Sequence, residues 1–175
     1  KGKKAIVLVE DMYNDYEFIY PYYRLLEAGA EVQVVGPETG RVYHGKAGTT
    51  ARSTAAAGEV RPGDFAGLVI PGGYAPDMMR RHEAMVNLVR EMDRQGKVVA
   101  AICHAPWLLI EAGVVEGRTM TSFESIRTDL KNAGAIVVDE EVVVDRGLVT
   151  SRKPDDIPAF NAKMIEEFAE GRHDA

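Results

Sequence analysis

Four short apolar runs set the frame of this chain: Ala5–Val9, Glu31–Gly36, Gly67–Ile70 and Lys97–Ile102. They are rich in Val, Ile and Ala, which predicts buried strands covered on both faces. Between them lie helical patterns. Asp15–Ala28 carries Phe18, Ile19, Leu25 and Leu26 and stops at Gly29, and Pro21 inside it predicts a kink or a break. Pro76–Gln95 gathers Met78, Met79, Met85, Val86, Leu88, Val89 and Met92 on an apolar face and stops at Gly96. A third helix spans Ala105–Ala112. Strands alternating with helices predict an α/β fold around a mainly parallel sheet with both faces covered.

The remainder fits the same plan. Arg41–Asp64, with scattered Gly, Thr and Ala, reads as a turn-rich excursion holding a small β-ribbon, and no role is legible in it. After Gly117 the pattern predicts a strand near Thr119–Thr121, a helix near Glu124–Asn132, and a hairpin. In that hairpin Asp145-Arg146-Gly147 turns between Val142–Val144 and Leu148–Ser151. Asp155–Glu170 closes the chain as a helix. With 175 residues, 46% of them hydrophobic, and no repeat or linker, residues 1–175 are expected to form one domain.

The balance of 21 basic and 27 acidic side chains, a net charge of -6, argues against nucleic acid and anionic membrane surfaces as partners. Lys1, Lys3 and Lys4 precede an apolar run of only five residues before Glu10 and Asp11, too short for a signal peptide or a membrane span. A lone cysteine forms no intrachain disulfide and suggests no cysteine-rich metal site, so a cytoplasmic setting is expected. His44, His82 and His173 have no supporting pattern and read as surface residues; with no pair at ligand spacing, no metal and no cofactor is expected.

The chemistry is expected where the fourth strand runs into the third helix with almost no loop, at Ala101-Ile102-Cys103-His104-Ala105-Pro106. A nucleophile on such an elbow holds a strained backbone, so the residues two positions away on each side must be small, and here both are alanine. Pro106 suits the first helical turn. Sulfur at a helix N-terminus is expected to have a lowered pKa and to react as a thiolate, whereas a buried structural cysteine is the plainer alternative. Loops leaving the carboxyl ends of parallel strands share one edge. That edge would collect Asp11, Asn14, Asp15 and Glu17 after the first strand, Pro71-Gly72-Gly73 after the third, and Cys103.

Glu17 has two readings of equal standing on local sequence. It is either the third helical position of a capping box begun by Asn14, or a buried protonated carboxyl donating a hydrogen bond to the sulfur. Gly72 and Gly73 allow a tight turn and would also leave backbone N–H groups open to an oxyanion, as would His104. The His104 ring is the natural proton carrier if it turns toward the sulfur.

These residues resemble the ThiJ/PfpI family: Ala-Ile-Cys-His-Ala-Pro after an apolar strand, Val-Ile-Pro-Gly-Gly upstream, and Glu17 within Asp-Tyr-Glu-Phe-Ile-Tyr-Pro. The likeness extends through Leu-Leu-Ile-Glu-Ala-Gly-Val after the elbow to Ser151-Arg152-Lys153-Pro154-Asp155-Asp156, and is greatest to the PfpI-like intracellular protease and stress-protein branch. It implies a flavodoxin-like three-layer sandwich related to glutamine-amidotransferase domains. It also implies Cys103 as nucleophile with His104 beside it, Glu17 hydrogen-bonded to the sulfur, and a homo-oligomer, dimer or hexamer. In peptidase-like members an acid from a neighbouring subunit completes a Cys-His-acid triad, and the matching residue is Asp77, shorter than the Glu of several relatives. Phe123 stands where some relatives carry Tyr.

Three activities share this microenvironment. One is cofactor-independent chemistry on a small carbonyl such as methylglyoxal, or on a glycation adduct, with Glu17 and His104 moving protons. The second is peptide hydrolysis, which also needs an aimed imidazole and an orienting acid. The third is non-enzymatic sensing of peroxide by oxidation of Cys103.

Overall fold

The structure is a computed structural model and describes residues 2–171; His173 lies outside the described residues. In chain order these form β1 (Lys4–Leu8), α1 (Asp15–Glu27), β2 (Glu31–Gly36), β3 (Val42–His44), β4 (Thr50–Arg52), β5 (Ala55–Ala56) and β6 (Gly67–Ile70). Then follow α2 (Ala75–Met79), α3 (Glu83–Arg94), β7 (Val98–Ile102), α4 (Pro106–Ala112), β8 (Thr119–Met120) and α5 (Arg127–Asn132). The last elements are β9 (Ile136–Val137), β10 (Val143–Asp145), β11 (Leu148–Ser151) and α6 (Ile157–Glu170).

The four apolar runs form the centre of a seven-stranded sheet of order β10-β11-β7-β6-β1-β2-β5. All its pairings are parallel except the β10–β11 hairpin. Every residue of β6 and β7 is buried, because helices cover both faces. α1 and α6 pack together against one face, and α3 with α4 against the other. The fold is thus the three-layer α/β sandwich that the alternation predicted.

Three local expectations are corrected. α1 runs through Pro21 without a break; Phe18, Pro21 and Leu25 are buried along its core-facing side, and that packing holds the helix despite the missing N–H. The long helix expected over Pro76–Gln95 is two helices, interrupted at Arg80–His82, where His82 takes an extended backbone and its N–H donates to the Met79 carbonyl at 2.9 Å. The hairpin turns on Arg146-Gly147 alone, both at positive φ (50° and 82°), while Asp145 belongs to the strand and pairs with Leu148.

The excursion is a ribbon of β3 against β4, followed by β5, which extends the sheet edge beside β2. Asp15, at the start of α1, fixes the ribbon tip: its carboxylate accepts from the Ala47 N–H at 2.7 Å, from the Thr49 N–H at 3.0 Å, and from the Thr49 hydroxyl. Among the described residues no helix is long and apolar enough to cross a membrane.

Candidate active site

β7 ends at the carboxyl edge of the sheet, and Cys103 follows it in the left-handed region at φ 66°. Its N–H donates to the Ser151 carbonyl at 3.0 Å and its carbonyl accepts from the Phe123 N–H at 2.9 Å, so neighbouring segments clamp the strained residue on both sides. Ala101 and Ala105 are fully buried, leaving no room for larger neighbours. Pro106 opens α4, and the left-handed Gly113 closes it. The elbow read from the sequence is therefore present.

Glu17 reaches this edge from the first turn of α1. Asn14 caps the helix, its Oδ1 accepting from the N–H groups of Tyr16 and Glu17 at 3.1 and 3.2 Å. The Glu17 carboxyl does not complete a capping box. The Asn14 N–H donates instead to the Gly72 carbonyl at 3.0 Å, and Glu17 is 0% exposed, with Oε1 accepting from the Gly72 N–H at 2.9 Å. Its Oε2 is buried with no N–H or O–H partner and shares the chamber of the thiol. Of its two sequence readings, the buried carboxyl beside sulfur is the one the structure shows.

Gly72 makes that meeting possible, since a Cβ there would run into Glu17 Oε1 and lie 2.8 Å from the Cys103 Cβ. The same contact corrects the oxyanion expectation: the Gly72 N–H is spent on Glu17. The Gly73 and His104 N–H groups are the ones that face the sulfur.

Burial pushes the Glu17 carboxyl up to about 8, so it keeps its proton at neutral pH. The thiol departs from its expected low pKa: burial first, then the Glu17 carboxylate, push Cys103 up to about 12, against the pull of the two N–H groups. The pair accordingly loses its first proton near pH 8, from Glu17, and Cys103 holds the second to about 12. Negative charge developing on the sulfur would meet the Gly73 and His104 N–H groups.

The His104 ring does turn to the sulfur, with Nδ1 3.2 Å from Sγ. Its other nitrogen meets the Ser125 hydroxyl at 3.2 Å, and its faces meet Phe123, stacked at 5.0 Å, and Trp107, edge-on at 5.2 Å. Burial, with a smaller contribution from Lys46, lowers its pKa, so the ring is neutral at pH 7 and Nδ1 can accept the thiol proton. Asp77 stands exposed on α2 and makes no side-chain hydrogen bond or ion pair within the described residues.

Lys46 was not legible in sequence. The ribbon tip latched by Asp15 carries it to the mouth of the site, where Nζ lies 4.8 Å from the centre of the Tyr74 ring and its charge favours the ionised forms of Glu17 and Cys103. His82 is likewise more than the plain surface residue expected of it: its Nε2 pairs with the buried Glu10 carboxylate at 2.8 Å. A depression of about 440 Å³ at the opposite, amino ends of β1, β6 and β7 holds none of these groups. Among the described residues no three His, Cys, Asp or Glu side chains are grouped to hold a metal ion.

Known proteins resemble this chain. A deglycase of Thermococcus kodakarensis is 44% identical over 163 residues, 93% of this chain and 98% of its own. YraA of Bacillus subtilis, whose name assigns it provisionally to the cysteine proteases, is 40% identical over 164 residues, 94% of this chain and 97% of its own. A solved two-domain protein of Anabaena variabilis, described as containing DJ-1/ThiJ/PfpI-like and ferritin-like domains, matches with a TM-score of 0.94 at 41% identity. That match covers 95% of this chain and 48% of the larger one, so the chain spans about half its length. The profile of the DJ-1/PfpI family matches residues 3–167, and this chain belongs to that family.

Proposed function

We propose that the protein is a cofactor-independent enzyme of the deglycase and glyoxalase kind, in which Cys103 adds to the carbonyl carbon of methylglyoxal or of an early glycation adduct. The observation that carries this reading is the His104 Nδ1 to Cys103 Sγ distance of 3.2 Å, beside a Glu17 carboxyl that stays protonated up to about pH 8. The base and the acid needed for carbonyl addition sit on the same sulfur.

In this mechanism the thiol proton passes to His104 Nδ1 as the S–C bond forms, and the carbonyl oxygen takes up negative charge, then a proton from Glu17 or His104. The Gly73 and His104 N–H groups are the donors for that charge. The hemithioacetal rearranges by moving a proton from C1 to C2, giving a thioester. Water hydrolyses the thioester, releasing lactate and restoring the thiol, so methylglyoxal plus water gives lactate. From an adduct, the C1–N or C1–S bond breaks as the C1 hydroxyl becomes a carbonyl and gives its proton to the departing amine or thiol, and the aldehyde so formed takes the Cys103 sulfur at C1. The name carried by the Thermococcus relative supports this substrate class.

Peptide hydrolysis is the second reading, favoured by the exposed and unengaged Asp77. In an oligomer, Asp77 of a second copy would replace Ser125 at His104 Nε2 and complete a triad.

The test supplies wild type and Cys103→Ala with methylglyoxal and with denatured protein. Lactate release by the wild type alone is the expected result. Equal release by both overturns the carbonyl reading, and Cys103-dependent peptide cleavage without lactate replaces it with the peptidase.

A further inference from the structure

The two segments that clamp the backbone of Cys103 also form the walls of a cleft. Phe123, whose N–H holds the Cys103 carbonyl, leads through Glu124 to Arg127; Ser151, whose carbonyl holds the Cys103 N–H, leads to Arg152 and Lys153. Between them is a cavity of about 280 Å³, lined by Phe123, Glu124, Arg127, Asp139, Arg152 and Lys153. Phe123 separates it from the imidazole by one ring thickness, since its ring stacks on His104.

The cleft is already set for an anion. The Asp139 carboxylate bridges the two guanidinium groups, with one oxygen 3.0 Å from Arg127 and 2.9 Å from Arg152. Asp139 is 64% exposed, whereas the arginine side chains are 28% and 25% exposed. An exposed carboxylate held by less exposed arginines exchanges at little cost with a carboxylate from solution. Asp156 holds the Arg152 guanidinium in place, accepting from its Nε at 2.9 Å and from its second terminal nitrogen at 3.0 Å, which leaves one nitrogen facing Asp139. Among the described residues Arg127 Nε is buried with no partner and Lys153 makes no side-chain hydrogen bond. None of this is used by the addition chemistry at Cys103.

We propose that this cleft binds an anionic group, a carboxylate or a phosphate, borne by the substrate beyond its reactive carbonyl, so that anionic carbonyl adducts are selected over neutral ones. Asp139 occupies the position as the chain's own carboxylate until substrate enters. The proposal rests on the carbonyl chemistry above only for what the substrate carries, and the binding site can be tested without turnover.

The kinetic arm compares the methylglyoxal hemithioacetals of N-acetylcysteine and N-acetylcysteine amide, which differ by one carboxylate. Arg127→Gln should raise KM for the acid about tenfold, the worth of one charge-assisted hydrogen bond, with kcat unchanged and the amide unaffected. Asp139→Asn should move KM for the acid in the opposite direction, which a loss of folding would not do. Equal KM values for acid and amide in the wild type and both variants overturn the proposal. The binding arm follows the Arg127 Nε–H resonance by NMR while pyruvate, inorganic phosphate or neutral pyruvamide is added. A shift with either anion and none with the amide supports the cleft, and the larger response identifies which anion it fits. A resonance that ignores both anions overturns the cleft even if lactate is released. Conversely, a shift in a protein that releases no lactate keeps the cleft and removes the carbonyl reading alone.

Discussion

The Glu17 carboxyl and the Gly72 N–H are joined by a buried 2.9 Å hydrogen bond, which ties the first turn of α1 to the loop after β6 directly beneath the thiol. With its other oxygen buried and its pKa raised to about 8, Glu17 is a side chain whose ionisation costs this fold. In the unfolded chain it ionises near its ordinary 4.5. The folded state therefore holds one more proton across the interval between 4.5 and about 8, and Glu17 makes stability fall as pH rises through that interval. The slope is about 1.4 kcal/mol per pH unit. Denaturant unfolding at several pH values should show this component in the wild type and not in Glu17→Gln.

Gly72 and Gly73 should fail differently when given a side chain. At Gly72 a Cβ meets Glu17 Oε1, which can swing away, and also the Cys103 Cβ and the Ile102 carbonyl at 3.0 Å, which give only a little, while the backbone there needs no positive φ. At Gly73, φ is 82° and a Cβ meets backbone atoms of Met12 and Asn14, which cannot shift. Gly73→Ala is expected to lose about 2–3 kcal/mol or more and Gly72→Ala about 1–2 kcal/mol, both read by thermal or chemical unfolding. Gly72→Ala should nevertheless lose most of its lactate release, because it parts the carboxyl from the thiol.

Lys46 lowers the pKa of His104, Glu17 and Cys103 alike. Replacing it with Met should shift both limbs of the kcat/KM profile to higher pH, the acid limb from His104 and the basic limb from the Glu17–Cys103 pair. Because Lys46 is exposed, the difference should shrink as salt is added. A profile that does not move would leave Lys46 no part in tuning the site.

Asp15→Ala should release the ribbon tip, removing three hydrogen bonds to Ala47 and Thr49. A loss of about 1–3 kcal/mol is expected, with faster hydrogen exchange at the Ala47 and Thr49 amides than elsewhere in the ribbon.

The sheet was legible because strands buried on both faces leave unbroken runs of Val, Ile and Ala, as in Val98–Ile102. The elbow was legible for a related reason: a strained residue between strand and helix forces small neighbours, and Ala101 and Ala105 record that demand. What sequence could not show depended on pairings across long separations. Nothing near Lys46 says that Asp15, some thirty residues earlier, brings it to the thiol. Nothing around His82 announces Glu10, and the apolar periodicity of Pro76–Gln95 continues across Arg80–His82 although the helix does not. Whether Glu17 served as a cap or as a partner of sulfur was decided by where the Asn14 N–H goes, a fact of the folded loop.

Alkylation of Cys103 by iodoacetamide as a function of pH tests most directly whether this thiol is made nucleophilic by its neighbours. It is the one cysteine of the chain, so the signal has a single source. With the thiol held up to about 12, reaction at pH 7 should proceed through transfer of its proton to the His104 imidazole and should slow severalfold or more in His104→Ala. A wild-type thiol that stays inert up to strongly alkaline pH, or a rate that His104→Ala leaves unchanged, would contradict the account.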